Sequence, residues 1–173
     1  MKNRFLLFLI SAVSIFIASC TERRQPSNII RTDFDDMKPW LSGSDAISEG
    51  MARSGRYALH VGPDKEFSMT WEHSLADLRT KGYSTAKASI WMNCPDSASQ
   101  IQWVASITSP AGVNYDWKSV FISKYTVKDS KGWKKAEIET SLPSNAPDAK
   151  LKIYGWSPNK EKAVLDDFEL VFE

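Results

Sequence analysis

The chain repeats one pattern nine times: apolar and polar residues alternate over a short stretch, then Gly, Pro, Asn, Asp and Ser cluster before the next stretch begins. The stretches cover 29–35, 57–61, 67–73, 87–94, 101–108, 115–122, 133–140, 151–156 and 164–172. A period of two sends successive side chains to opposite faces of a strand. Many short strands at this spacing predict an all-β sandwich or barrel rather than a helical or α/β fold. The one helical candidate is 74–79, where Leu75 and Leu78 share a face over a single turn. It reads as a connection between strands.

The alternation also sorts the aromatic residues, which matters because the chain holds seven tryptophans. In 67–73 the apolar set is Phe67, Met69 and Trp71, opposite Ser68, Thr70 and Glu72, so all three are expected inside. Ile101, Trp103, Ala105 and Ile107 likewise share an inner face. Trp91 alternates with Ser89 and Asn93 while Ala88, Ile90 and Met92 take the core side, so Trp91 is expected outside. Leu151 and Ile153 point inward and leave Lys152, Tyr154 and Trp156 on the outer face. Around Tyr115 and Trp117 the pattern is ambiguous, since Tyr115, Trp117 and Phe121 compete with Val120 and Ile122 for the core. In the last stretch Asp166 alternates with Phe168, Leu170 and Phe172, which predicts an inward carboxylate. A carboxylate there needs a partner, because an unpaired buried charge is costly.

Before the strands begin, Lys2 and Arg4 precede an apolar run over 5–17, and Ile17-Ala18-Ser19-Cys20 closes it with small residues and a cysteine. The run is shorter than the roughly 20 apolar residues a spanning helix needs, and a polar stretch follows at once. This is the pattern of a cleaved export signal. The junction resembles a lipobox, and the resemblance to bacterial lipoproteins implies that residues 1–19 are removed and that Cys20 carries a diacylglyceryl thioether and an acylated amino terminus. Two or more acyl chains anchor stably where one is marginal. Residues 20–28 then form a lipidated cysteine and short polar tether, and 29–173 the sandwich domain. Thr21 is not the acidic residue that retains some lipoproteins at the inner membrane, so the resemblance points to the outer membrane of a cell envelope.

The chain contains 22 basic and 21 acidic residues, and loss of Lys2 and Arg4 leaves 20 against 21. The densest basic spots are the pairs Arg23-Arg24 and Lys134-Lys135, far from the stripe that phosphate-backbone binding requires. Nucleic acid is therefore not an expected partner. With Cys20 committed to lipid, only Cys94 remains and no intramolecular disulfide can form; its place on the inner face with Ala88, Ile90 and Met92 predicts a buried thiol.

Three segments together resemble the galactose-binding-domain-like jelly rolls, in particular carbohydrate-binding modules related to cellulose- and xylan-binding families. They are Phe34-Asp35, the stretch Ser54-Gly55-Arg56-Tyr57-Ala58-Leu59-His60-Val61, and Val164-Leu165-Asp166-Asp167-Phe168-Glu169-Leu170. The likeness spans essentially the whole domain and implies a jelly-roll β-sandwich of two antiparallel sheets. It further implies a structural calcium on Asp35 and Asp166, aided by backbone carbonyls of the Ser-Gly turn; oxygen-only ligands suit that hard cation. The residues themselves equally allow an Asp166 satisfied by backbone amides or a lysine, and a solvent-exposed Asp35.

The leading functional expectation is a non-catalytic, membrane-anchored lipoprotein that binds carbohydrate through Trp91, Tyr154 and Trp156, with Tyr115 and Trp117 as neighbours. Flat aromatic rings stack on the apolar C–H faces of sugars. The alternative is a structural or assembly lipoprotein whose sandwich face binds another envelope protein, since Trp and Tyr are also the usual interface anchors. Catalysis has little support. His60 and His73 have no nucleophile motif nearby, and no His-Glu-x-x-His spacing, phosphate loop or dinucleotide fingerprint occurs.

Overall fold

A computed structural model describes residues 28–36, 47–95, 100–124, 129 and 131–173. Cys20, the export segment and residues 21–27 of the tether lie outside the described residues. Among the described residues, ten strands, one short α-helix and a 3-10 turn at Ile122–Lys124 occur: β1 Ile29–Thr32, β2 Ile47–Glu49, β3 Tyr57–Val61, β4 Trp71–Ser74, α1 Leu75–Thr80, β5 Thr85–Asn93, β6 Gln102–Thr108, β7 Asn114–Phe121, β8 Lys134–Ser141, β9 Lys150–Trp156 and β10 Ala163–Phe172. They form two antiparallel sheets. One runs β2-β3-β10-β5-β8, with β1 also paired to β10; the other runs β4-β9-β6-β7.

The alternation read from the sequence explains the layers. In β5, Ala86, Ala88, Ile90 and Met92 are buried against the second sheet, and Leu151 and Ile153 of β9 and Trp103, Ala105 and Ile107 of β6 meet them from the other side. Cys94 is buried at the end of this row, as expected. Leu75 and Leu78 turn the one-turn helix onto the core and are essentially inaccessible. Apolar burial of this kind, at ~25 cal/mol per Å² removed from water, drives the two sheets together. The strand β2 carries no periodic signal because it is only three residues long.

Two expectations about facing fail, and one geometric cause accounts for both. Phe67 is 47% exposed rather than inside with Met69 and Trp71. Phe67 bridges Trp156 and Trp71 pairs with Ile153, so four steps along one strand span three along the other. One inserted residue inverts the face of everything before it. In β10 the register slips between Asp166 and Glu169, which pair with Trp91 and Ser89. Asp167 takes a left-handed φ of 50° at this bulge. Asp166 therefore lies on the outer face with Trp91, not on the inner face with Phe168. It is still fully buried, because the 53–54 segment covers it.

Candidate functional site

The outer face of the four-stranded sheet is where the aromatic residues collect. Register sets the rows: Tyr154 lies across from Val104, Trp156 from Gln102, and Trp117 from Ser106. Paired residues share a face, so Trp117, undecided in the sequence, joins Tyr154 and Trp156 outside. Phe67 enters the same row. Its ring meets Tyr154 edge-on at 5.8 Å and lies parallel to Trp156, 5° between planes, at 6.0 Å. Trp117 meets Trp156 edge-on at 6.2 Å. Phe67 and Trp117 are 47% and 44% exposed, and the other two rings are half-buried beneath them.

Polar groups hold this strip in place. Trp156 donates its indole Nε1–H to Glu66 Oε1 at 2.9 Å. The Gly155 N–H donates to Ser68 Oγ at 2.8 Å and the Ser68 N–H to the Gly155 carbonyl at 2.9 Å, which pins the segment carrying Phe67 beside β9. Beside the rings, Glu72 accepts from Lys150 at 2.6 Å and faces Lys152 at 3.3 Å. The Lys150 ammonium holds the Glu72 carboxyl below its usual range. Tyr115, 37% exposed, falls at the register shift between Ile107 and Thr108 at the far end of β7.

Trp91 points outward as expected, but from the opposite sheet, so it does not join Tyr154, Trp156 and Trp117. It lines a groove of about 450 Å³ with Arg31, Ser54, Ser89, Lys135 and Asp167. One face of its ring is covered by Arg53, whose guanidinium carbon lies 3.8 Å from the ring centroid. The sequence groups Trp91 with Tyr154 and Trp156 by outward orientation, a property that does not say which sheet is involved, and adds Tyr115 and Trp117 only as neighbours. Phe67 was missed because the bulge that turns it outward leaves no mark in the alternation.

Asp35 and Asp166 both bear on the 53–57 turn. Asp35 Oδ1 accepts the N–H groups of Arg56 at 2.7 Å and Tyr57 at 2.9 Å, which hold its carboxyl below the usual range. Asp166 Oδ2 accepts from the amides of Arg53 at 2.6 Å and Ser54 at 3.0 Å, and its Oδ1 from Asp167 at 2.7 Å. Burial nevertheless pushes the Asp166 carboxyl up from 3.8 to about 6. Gly55 has a φ of 62°, and a Cβ there would lie 2.6 Å from the Asp35 carboxylate. The turn thus offers both aspartates N–H donors, whereas a calcium ion requires converging oxygens. Among the described residues no group of three or more His, Cys, Asp or Glu is placed to hold a metal ion. The donor set does not fit the cation that the resemblance implied.

No family model and no curated protein matches the chain. Solved structures match its fold. The CBM22-2 xylan-binding domain from Paenibacillus barcinonensis Xyn10C is similar at a TM-score of 0.55 and 14% identity, over 83% of this chain and 99% of that domain. The tandem CBM22-1-CBM22-2 domain of the same protein matches at a TM-score of 0.55 and 14% identity, over 83% of this chain and 50% of the tandem. The likeness is one of fold, and the jelly-roll β-sandwich expected from the sequence is the architecture observed.

Proposed function

We propose that this chain is a non-catalytic carbohydrate-binding lipoprotein and that Phe67, Tyr154, Trp156 and Trp117 form its sugar platform. The observation that carries the reading is the exposure of this contiguous ring cluster on a sheet face. Exposed apolar residues scattered singly are normal in any protein, whereas a contiguous patch marks a binding surface. Rings offer flat apolar area to sugar C–H faces, and Glu72, Lys150 and Lys152 beside them supply acceptors and donors for hydroxyls. The fold shared with a xylan-binding domain supports the ligand class. Acyl chains on Cys20 would hold the domain at the outer membrane. A tether of eight residues, at ~3.5 Å each, keeps it within about 30 Å of the surface, which suits local capture.

Affinity electrophoresis of the mature domain through gels containing soluble xylan or a soluble cellulose derivative tests the platform. Retardation is expected in at least one gel, reduced about fivefold or more in Trp156→Ala and Trp117→Ala, consistent with ~1 kcal/mol per stacked ring. Trp91→Ala is expected to migrate like the parent. Free migration in every polysaccharide would contradict the reading and favour an envelope protein as the partner of the same rings.

A further inference from the structure

The 53–57 turn is braced by a cation that belongs to the chain. We propose that Arg53, through its backbone N–H on Asp166 and its guanidinium on Asp167 and Asp129, braces this turn in the way the resemblance assigns to a calcium ion, so that the domain folds and keeps its stability without dissolved calcium. Arg53 acts from both its backbone and its side chain. Its N–H donates to Asp166 Oδ2 at 2.6 Å, its Nη1 to Asp167 Oδ2 at 2.5 Å and its Nε to Asp129 Oδ2 at 3.1 Å. The guanidinium plane rests on Trp91 with 3.8 Å from carbon to ring centroid. One residue therefore ties β10, β5 and the loop before β8 to the turn that follows β2.

The chemistry explains why an arginine suits this place. A guanidinium presents several donors in a fixed fork and stacks on an aromatic ring, and it stays charged at any pH the protein meets. Asp129 and Asp167 bring two negative charges to it, at 22% and 24% side-chain exposure. Ser54 Oγ donates to the remaining Asp167 oxygen, and Asp129 Oδ1 accepts from the amides of Lys131 and Trp133. Both carboxylate oxygens of Asp129, Asp166 and Asp167 are thus engaged by N–H and O–H donors.

The test is thermal unfolding of the mature chain in a chelator and in millimolar calcium, for the parent, Arg53→Lys, Arg53→Ala and Asp129→Asn. The expected result is a parent Tm that calcium leaves within about 1 °C. Arg53→Ala is expected to fall by about 5 °C or more, on the scale of 2–4 °C per kcal/mol for a domain of this size. Arg53→Lys is expected to fall by about half as much, because an ammonium is a point charge that cannot reproduce the fork and the stack. Should Arg53→Ala fail to fold, Arg53→Lys and Asp129→Asn carry the same test through smaller losses. A saturable rise of several degrees on adding calcium to the parent, or an Arg53→Lys variant as stable as the parent, would overturn the proposal.

Discussion

Asp166 illustrates what a residue pattern reveals and what it leaves out. Alternation with apolar neighbours predicts its burial on the inner face, but the bulge at Asp167 resets the phase by one position and Asp166 is buried on the outer face, under the 53–54 segment. Its partners were not legible either, since amides of the 53–54 segment are more than a hundred residues away in sequence. The carboxyl is raised from 3.8 to about 6, first by burial. A raised folded value means that the native state holds a proton the unfolded chain has lost, so this group's contribution falls as pH climbs through that window. The stability advantage of the parent over Asp166→Asn is therefore expected to shrink between pH 4 and 6.5 in melting experiments; an advantage that grows over this range would contradict the assignment. Gly55 makes a simpler prediction. A side chain there meets both an unfavourable φ of 62° and the Asp35 carboxylate at 2.6 Å. Gly55→Ala is expected to lose about 1–3 kcal/mol in denaturant unfolding.

Among elements, every strand with a full period-two run was readable, and α1 was readable from two leucines three apart. What the run could not show was where pairing slips. The slip between Phe67 and Trp71 moves an aromatic ring from the expected core to the platform, and β4 begins only after it. That segment is held by Ser68, whose buried hydroxyl accepts the Gly155 N–H and donates to the Met69 carbonyl at 2.9 Å. Ser68→Ala leaves the Gly155 donor unsatisfied, at a cost of about 1–2 kcal/mol. It is also expected to weaken polysaccharide retention although Ser68 itself is buried, because Phe67 loses its fixed position. Unchanged retention with reduced stability would show that Phe67 does not depend on this bond.

At the scale of the whole molecule, facing and layering were separable problems. Alternation assigned Trp91, Tyr154 and Trp156 to the outside, but a sandwich has two outsides, and only the strand order β4-β9-β6-β7 puts Trp117 beside Trp156 and leaves Trp91 behind. The proposed anchor belongs to this scale too: Cys20→Ser is expected to move the protein from the membrane fraction to the soluble fraction on cell fractionation. The central claim concerns the platform, and it is tested most directly by the indole N–H signals of the seven tryptophans in ¹H–¹⁵N spectra of the mature domain. Titration with xylo- or cello-oligosaccharides is predicted to shift the signals of Trp117 and Trp156 and to leave those of Trp71, Trp91, Trp103 and Trp133 in place. Shifts confined to Trp91, or no shift of Trp117 and Trp156 with any glycan, would contradict it.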